Sequence, residues 1–242
     1  MLTRRLRQAA KAVQLLRQPL WRGALRHGVG AAIEHLPVLR QCAPVAVLDI
    51  GAHQGQFALA ARAVWPAAQI HSFEPQSSPA AKYLQVLGDD AQTTLHPYAI
   101  APTSGKAEIH VSARNDSSSL LPIAKLQNEL FPGTAEVATQ TIAMRPLEKV
   151  LAVKDLPQPL FIKIDVQGYE AQVLQGLGSA LKKAKWLYIE MSFQELYEGQ
   201  ALVSEILPGL FAQGFTLQGV YNISYGPDGA AVQADFLFTS FN

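Results

Sequence analysis

Apolar and polar positions along this chain switch repeatedly between two periods, and the switching predicts its elements. Val45 to Ile50 is a short apolar run that ends in a glycine loop, which predicts a buried strand. From Gln54 to Val64, Phe57, Leu59, Ala60 and Val64 recur at helical spacing until Pro66 ends the helix. A second strand follows over Gln69 to Phe73, then a helix over Pro79 to Leu87 closed by Gly88, then a third strand over Thr93 to Ile100. The same rhythm returns downstream. Leu160 to Asp165, Trp186 to Glu190, Phe215 to Tyr221 and Ala234 to Phe241 read as strands, with helices over Tyr169 to Leu177 and Ser204 to Gln213. Strands alternating with helices predict an α/β domain, a parallel sheet with helices on both faces. Residues 101–159 break the rhythm. Lys106 to Val111 and Ala138 to Ala143 read as strands around a loop at Asn115 to Pro122, and the Ser, Asn and Pro content marks an insertion that would cover a ligand.

Composition places the chain among globular proteins: 49% apolar and 16% charged residues over 242 positions suffice for one domain with a full core. The net charge of +1 gives no global electrostatic reason to expect nucleic acid as a partner. A single cysteine, Cys42, permits no internal disulfide, suits a reducing, cytoplasmic setting and reads as core filling. The start of the chain differs in character. Arg4, Arg5, Arg7, Lys11, Arg17, Arg22 and Arg26 precede the first acid, Glu34, while Leu2, Leu6, Ala9, Val13, Leu16 and Leu20 recur at roughly helical spacing. Residues 1–40 therefore form a basic helical segment ahead of one α/β domain over 41–242. The segment is expected to pack on that domain, with peripheral contact to anionic lipid as the less favoured reading.

Chemistry enters at Asp49-Ile50-Gly51-Ala52-His53-Gln54-Gly55, between the first strand and its helix. Glycines there let a ligand approach the backbone, at the carboxyl edge where open α/β sheets bind ligands. Glu74, about twenty residues beyond the loop at the end of the second strand, is placed to accept hydrogen bonds from both hydroxyls of a ribose. A dinucleotide fingerprint needs G-x-G-x-x-G; this loop has G-x-x-x-G, and Asp49 before it would repel a pyrophosphate. A carboxylate suits a ligand bearing ammonium and sulfonium charges, as S-adenosylmethionine does.

Five segments in order then resemble the FkbM-type methyltransferases, a family of class I, Rossmann-like, S-adenosylmethionine-dependent enzymes. They are L-D-I-G-A-H-Q-G-Q-F (Leu48 to Phe57), S-F-E-P (Ser72 to Pro75), D-S-S-S-L-L-P (Asp116 to Pro122), F-I-K-I-D-V-Q-G-Y-E-A-Q-V-L-Q-G (Phe161 to Gly176) and I-E-M-S-F (Ile189 to Phe193). The resemblance implies a seven-stranded, mostly parallel sheet whose last strand is antiparallel, and methyl transfer to oxygen on sugars, glycoconjugates or natural products. It implies cofactor contacts from Asp49, Gly51, Ala52, His53 and Gly55, with Glu74 on the ribose. Asp165 ends the fourth strand, where this fold meets cofactor and acceptor. The family often has Asp-Val-Glu-Gly there; this chain has Gln167 in place of the glutamate.

A hydroxyl acceptor must lose a proton as its oxygen is methylated, so a base or a metal should stand nearby. Asp165 and Glu190 are the leading candidates for base or acceptor-binding groups, and Lys163, two residues before Asp165 and on the same strand face, for stabilising a developing alkoxide. His53 is the best placed histidine, ahead of His71 and His96. Asp165 and Glu190 could hold Mg²⁺ with waters, although no metal-ligand motif is present. Two rival functions are a nicotinamide-dependent Rossmann oxidoreductase and a non-catalytic membrane- or partner-binding module.

Overall fold

The structure, a computed structural model, describes residues 15, 16 and 18–240. In chain order its elements are α1 (Pro19–Arg26), α2 (Leu36–Leu39), β1 (Ala46–Ile50), α3 (Gln56–Val64), β2 (Gln69–Phe73), α4 (Ser77–Leu87), β3 (Thr93–His96), β4 (Ala99–Ile100), β5 (Gly105–Ser112), α5 (Lys125–Leu130), β6 (Glu136–Arg145), β7 (Leu160–Ile164), α6 (Glu170–Gly176), α7 (Ser179–Lys183), β8 (Ala184–Ser192), α8 (Val203–Ala212), β9 (Phe215–Tyr225) and β10 (Ala231–Ser240). Seven strands form one sheet in the order β3-β2-β1-β7-β8-β10-β9, all parallel except β10, which runs antiparallel to both of its neighbours. The antiparallel last strand matches the Rossmann-like methyltransferase topology.

β1 and β7 are buried at every position, as central parallel strands covered on both faces must be, and that is why their sequences read as apolar runs broken only by Asp49 and Lys163. Their alternation feeds two cores. Leu48, Ile50, Ile162 and Ile164 pack under α6, α7 and α8, whereas Val47, Ile70, Phe161 and Tyr188 pack under α1 to α4. α1 is pinned to α3 by Trp21, whose Nε1 donates to the Leu59 carbonyl at 2.9 Å. Arg22 and Arg26 stay exposed on its outer side. Arg4, Arg5, Arg7, Lys11 and Arg17, with Leu2, Leu6, Ala9 and Val13, lie outside the described residues, as does Phe241. Cys42 is buried, and burial pushes its thiol up to about 12, so it is inert packing.

The expected third strand over Thr93 to Ile100 is two strands in two sheets. Pro97 has no N–H to give a ladder, so pairing with β2 stops at His96. Ala99 and Ile100 pair with β6 instead, and β6 pairs antiparallel with β5. This three-stranded sheet and α5, absent from the sequence reading, build residues 101–159 into a structured roof over the carboxyl edge of the large sheet. No helix among the described residues is long and apolar enough to cross a membrane.

Candidate active site

A cavity of about 540 Å³ lies at that carboxyl edge. Its floor comes from the turn after β1 and the ends of β2, β7 and β8. Its roof comes from Ser117, Ser118, Gln127 and Phe131 of the insertion. Gly51, Ala52, His53, Glu74, Lys163, Asp165 and Glu190 all line it. Asp49 and Gly55 do not. Asp49 is 0% exposed, directly beside Lys163 in the β1–β7 register, and Gly55 backs onto Tyr83 and Leu87 at the start of α3. The two acids the sequence groups around the loop thus occupy different layers, Glu74 on the wall and Asp49 behind it.

The register explains the layer behind the wall. Ser72, Asp49, Lys163 and Tyr188 pair in sequence across β2, β1, β7 and β8, so their side chains leave the same face of the sheet. Tyr83 donates its hydroxyl to Ser72 at 2.8 Å, and the Ser72 hydroxyl reaches Asp49 at 3.4 Å. Lys163, 4% exposed, donates to the Gly51 carbonyl at 2.9 Å and lies 3.5 Å from both Asp49 and Asp165. The ammonium thus has one carbonyl within hydrogen-bond distance and two carboxylates at ion-pair distance. Burial works against the ammonium, but Asp165 and Asp49 more than reverse this and hold Lys163 above its ordinary value. Burial pushes Asp49 up against the pull of Lys163, whereas Lys163 and the Gln167 amide outweigh burial at Asp165 and hold it down. Gly51 makes this triad possible. Its φ is +79°, and a Cβ there would overlap the Asp165 carbonyl oxygen.

Glu74 sits in the turn after β2 with one oxygen accepting from the Gln76 N–H at 2.8 Å and the other from the His53 N–H at 3.0 Å. Each oxygen keeps a lone pair for a further donor. Burial pushes its carboxyl up to about 7.

Across the cavity, Gln167 holds two carboxylates. Its Nε2 donates to Asp165 at 2.8 Å and to Glu190 at 3.0 Å, while Gln233 donates to the other oxygen of Glu190 at 3.0 Å. The Tyr197 hydroxyl donates to Gln167 Oε1 at 2.7 Å, and Ser119 donates to the Gln167 carbonyl. That order fixes the amide, because a flip would turn its oxygen onto two carboxylates. Gln167 itself has φ +57°, and its left-handed backbone is kept in place by these bonds. Burial, reinforced by Asp165 and Asp235, drives Glu190 well above the usual carboxylate range. Glu170 opens α6 and accepts N–H bonds from Val166 and Gly168, the helix-start role open to an acid there; burial pushes it up to about 7.

His53 lines the cavity, but His71 and His96 do not; they face each other at 3.3 Å on the β2–β3 edge. The histidine that the sequence reading missed is His35, from the turn before α2. It lines the cavity and contacts Tyr188 at 2.9 Å. No local motif marks it; the contact joins positions 153 residues apart. Among the described residues no group of three or more His, Cys, Asp or Glu is arranged to hold a metal ion.

With this geometry in place, the chain can be set beside known proteins. The family profile of the methyltransferase FkbM domain matches residues 49–217. The 2-O-methyltransferase NoeI of Sinorhizobium fredii (strain NBRC 101917 / NGR234) is 31% identical over 172 residues, 66% of this chain and 69% of that protein. A Clostridium thermocellum structure described as a candidate rRNA methylase superposes with a TM-score of 0.52 at 10% identity, covering 88% of this chain and 98% of that one. A candidate O-methyltransferase from Klebsiella pneumoniae covers 96% of both chains at 14% identity and a TM-score of 0.49. At such identities the structural likeness concerns the fold alone.

Proposed function

The chain belongs to the FkbM methyltransferase family, and from that premise we propose that it transfers a methyl group from S-adenosylmethionine to a hydroxyl oxygen of a sugar, glycoconjugate or natural-product acceptor. One observation carries the cofactor assignment. Glu74 lies on the cavity wall beside the Gly51 turn, with an unused lone pair on each oxygen, which suits the two hydroxyls of a ribose. Ala52 and His53 extend that wall, and the buried Asp49–Lys163 pair supports it from behind, with Asp165 on the cavity side of Lys163. Asp49 acts on the site through Lys163 and the Gly51 carbonyl. Gly55 starts α3.

When bound, the cofactor supplies a sulfonium-activated methyl group, so the protein's task is orientation and electrostatics. Asp165, kept ionised by Lys163, presents negative charge to the cavity and suits a cationic ligand. Ser117, Ser118, Asp116 and Gln127 in the roof offer donors and acceptors for a hydroxyl-rich acceptor. The relative's 2-O-methyltransferase activity supports oxygen as the methylated atom. Gln167 and Gln233 fill the space around Asp165 and Glu190 with amide donors, which favours a reaction run without Mg²⁺ at these carboxylates. Incubation with methyl-labelled S-adenosylmethionine and a panel of saccharides, glycolipids and small hydroxyl compounds, read by mass spectrometry, tests the proposal. Label on an acceptor oxygen supports it; transfer confined to nitrogen or carbon acceptors rejects it.

A further inference from the structure

The proposed reaction leaves a proton to be removed, and the carboxylates of the site are poorly suited to taking it. Asp165 is held low by Lys163 and Gln167, a weak base. Glu190 has both oxygens engaged by the amide donors of Gln167 and Gln233, so neither is turned toward an incoming hydroxyl. Glu74 belongs to the ribose wall.

His35 is placed differently. It stands in the short turn Ile33–His35, and its neighbour Ala32 is tied to the Gln56 carbonyl of α3 at 2.9 Å. Its ring makes edge contacts with Phe57 at 5.6 Å and Tyr188 at 5.5 Å, which set its plane. Nδ1 faces three polar groups: the buried Tyr188 hydroxyl at 2.9 Å, the exposed Asn222 Nδ2 at 3.3 Å and the buried Asp235 Oδ2 at 3.5 Å. Tyr188 has one hydroxyl hydrogen, and the Asp235 carboxylate at 2.8 Å is the stronger acceptor for it. Asn222 likewise donates to Asp235, at 2.7 Å. The Tyr188 oxygen is then free to accept from Nδ1–H, which leaves the lone pair of a neutral ring on Nε2. Nδ1 and Nε2 point to opposite sides of an imidazole, so the nitrogen left over is the one on the side away from Tyr188. No described residue hydrogen-bonds it, and the side chain retains 15% exposure.

We propose that His35 is the general base of the transfer, held in the productive tautomer by Asp235 and Tyr188. This inference rests on the methyltransferase reading of the cavity. Neither His35 nor Asp235 falls within residues 49–217, so the family match does not supply it. In the step, Nε2 takes the acceptor's hydroxyl proton as the new O–C bond forms and the C–S bond breaks, its electron pair leaving on sulfur. Asp235 then offsets the imidazolium charge across the Nδ1 side.

The first test is ¹⁵N spectroscopy of the imidazoles in the full chain, with and without S-adenosylhomocysteine, His35 being assigned by loss of its signal in His35→Gln. The expected result is the Nδ1–H tautomer, shifted toward Nε2–H in Asp235→Asn. An Nε2–H tautomer in the wild type overturns the proposal. The second is turnover on whichever saccharide the wild type methylates. His35→Gln should keep S-adenosylhomocysteine affinity within about threefold while kcat falls on the order of 10²–10⁴-fold. A kcat within about threefold of wild type overturns it. Absence of S-adenosylhomocysteine binding to the wild type would instead reject the cavity assignment beneath it.

Discussion

Replacing Lys163 with methionine removes the one cation between two carboxylates while keeping most of the side chain's volume. The ammonium lies 3.5 Å from Asp49 and 3.5 Å from Asp165 and donates to the Gly51 carbonyl. At an effective dielectric of about 20, one unit pair at that distance interacts by roughly 5 kcal/mol, most of it offset by the desolvation of both partners. What the variant forfeits is compensation. Asp49 is 0% exposed and has no solvent to fall back on, so a loss of about 3–5 kcal/mol is expected, roughly 6–20 °C in Tm for a domain of this size. The sign of the pH dependence follows. Asp49 already titrates above its ordinary value, and without Lys163 it rises further. A carboxyl raised in the folded state contributes stability fully below its unfolded pKa of about 4 and loses it as pH climbs through the folded value. The gap between wild type and Lys163→Met should therefore widen from pH 5 to pH 8. Urea titration followed by tryptophan fluorescence measures it. Asp49→Asn, combined with Lys163→Met, should restore about half the loss or more, because the buried charge is gone. A cost under about 1 kcal/mol, or strict additivity of the two substitutions, would refute the reasoning.

Three further outcomes are expected. Gly51→Ala should cost about 3 kcal/mol or more by chemical denaturation, since its φ of +79° and the adjacent Asp165 carbonyl leave no room for a methyl group. Glu74 titrates near 7 and accepts ligand hydroxyls best when ionised, so S-adenosylhomocysteine affinity should fall by up to about tenfold per pH unit below that value. By the same sign rule its burial destabilises the ligand-free chain as pH rises through 7, so Glu74→Gln should raise Tm at pH 8 while flattening the binding profile. Tyr197→Phe should cost about 1–3 kcal/mol by leaving Gln167 Oε1 unpaired, and calorimetric unfolding against wild type would show it.

Much of this arrangement is legible in the sequence wherever local pattern and tertiary environment agree. Gln69 to Phe73 is a strand end to end, and the run ending at Ile50 begins within one residue of its expected place, because each carries apolar residues at its core-facing positions and is bounded by a Pro or Gly turn. Pairing partners are not encoded that way. Thr93 to Ile100 has one continuous strand pattern, yet Pro97 divides it between sheets, and α5 hides among polar residues that face solvent. At the site, Asp49 and Glu74 fall in different layers, a distinction set by pleat parity and register rather than by residue type. His35, Gln233 and Asp235 come from segments flanking the motifs; the pairing of β10 with β8 brings Gln233 to Glu190 and Asp235 to Tyr188, and the turn before α2, tied to α3, brings His35 to Tyr188.

The most direct test of the central claim is calorimetric titration of the full chain with S-adenosylhomocysteine, in the wild type and in Glu74→Ala. The account predicts saturable binding at one site, weakened roughly 10- to 150-fold in the variant, the equivalent of one or two charge-assisted hydrogen bonds. It also predicts no competing heat from NADH. A wild type that takes up no S-adenosylhomocysteine, or a Glu74→Ala variant that binds it with unchanged affinity, would contradict the assignment of this cavity.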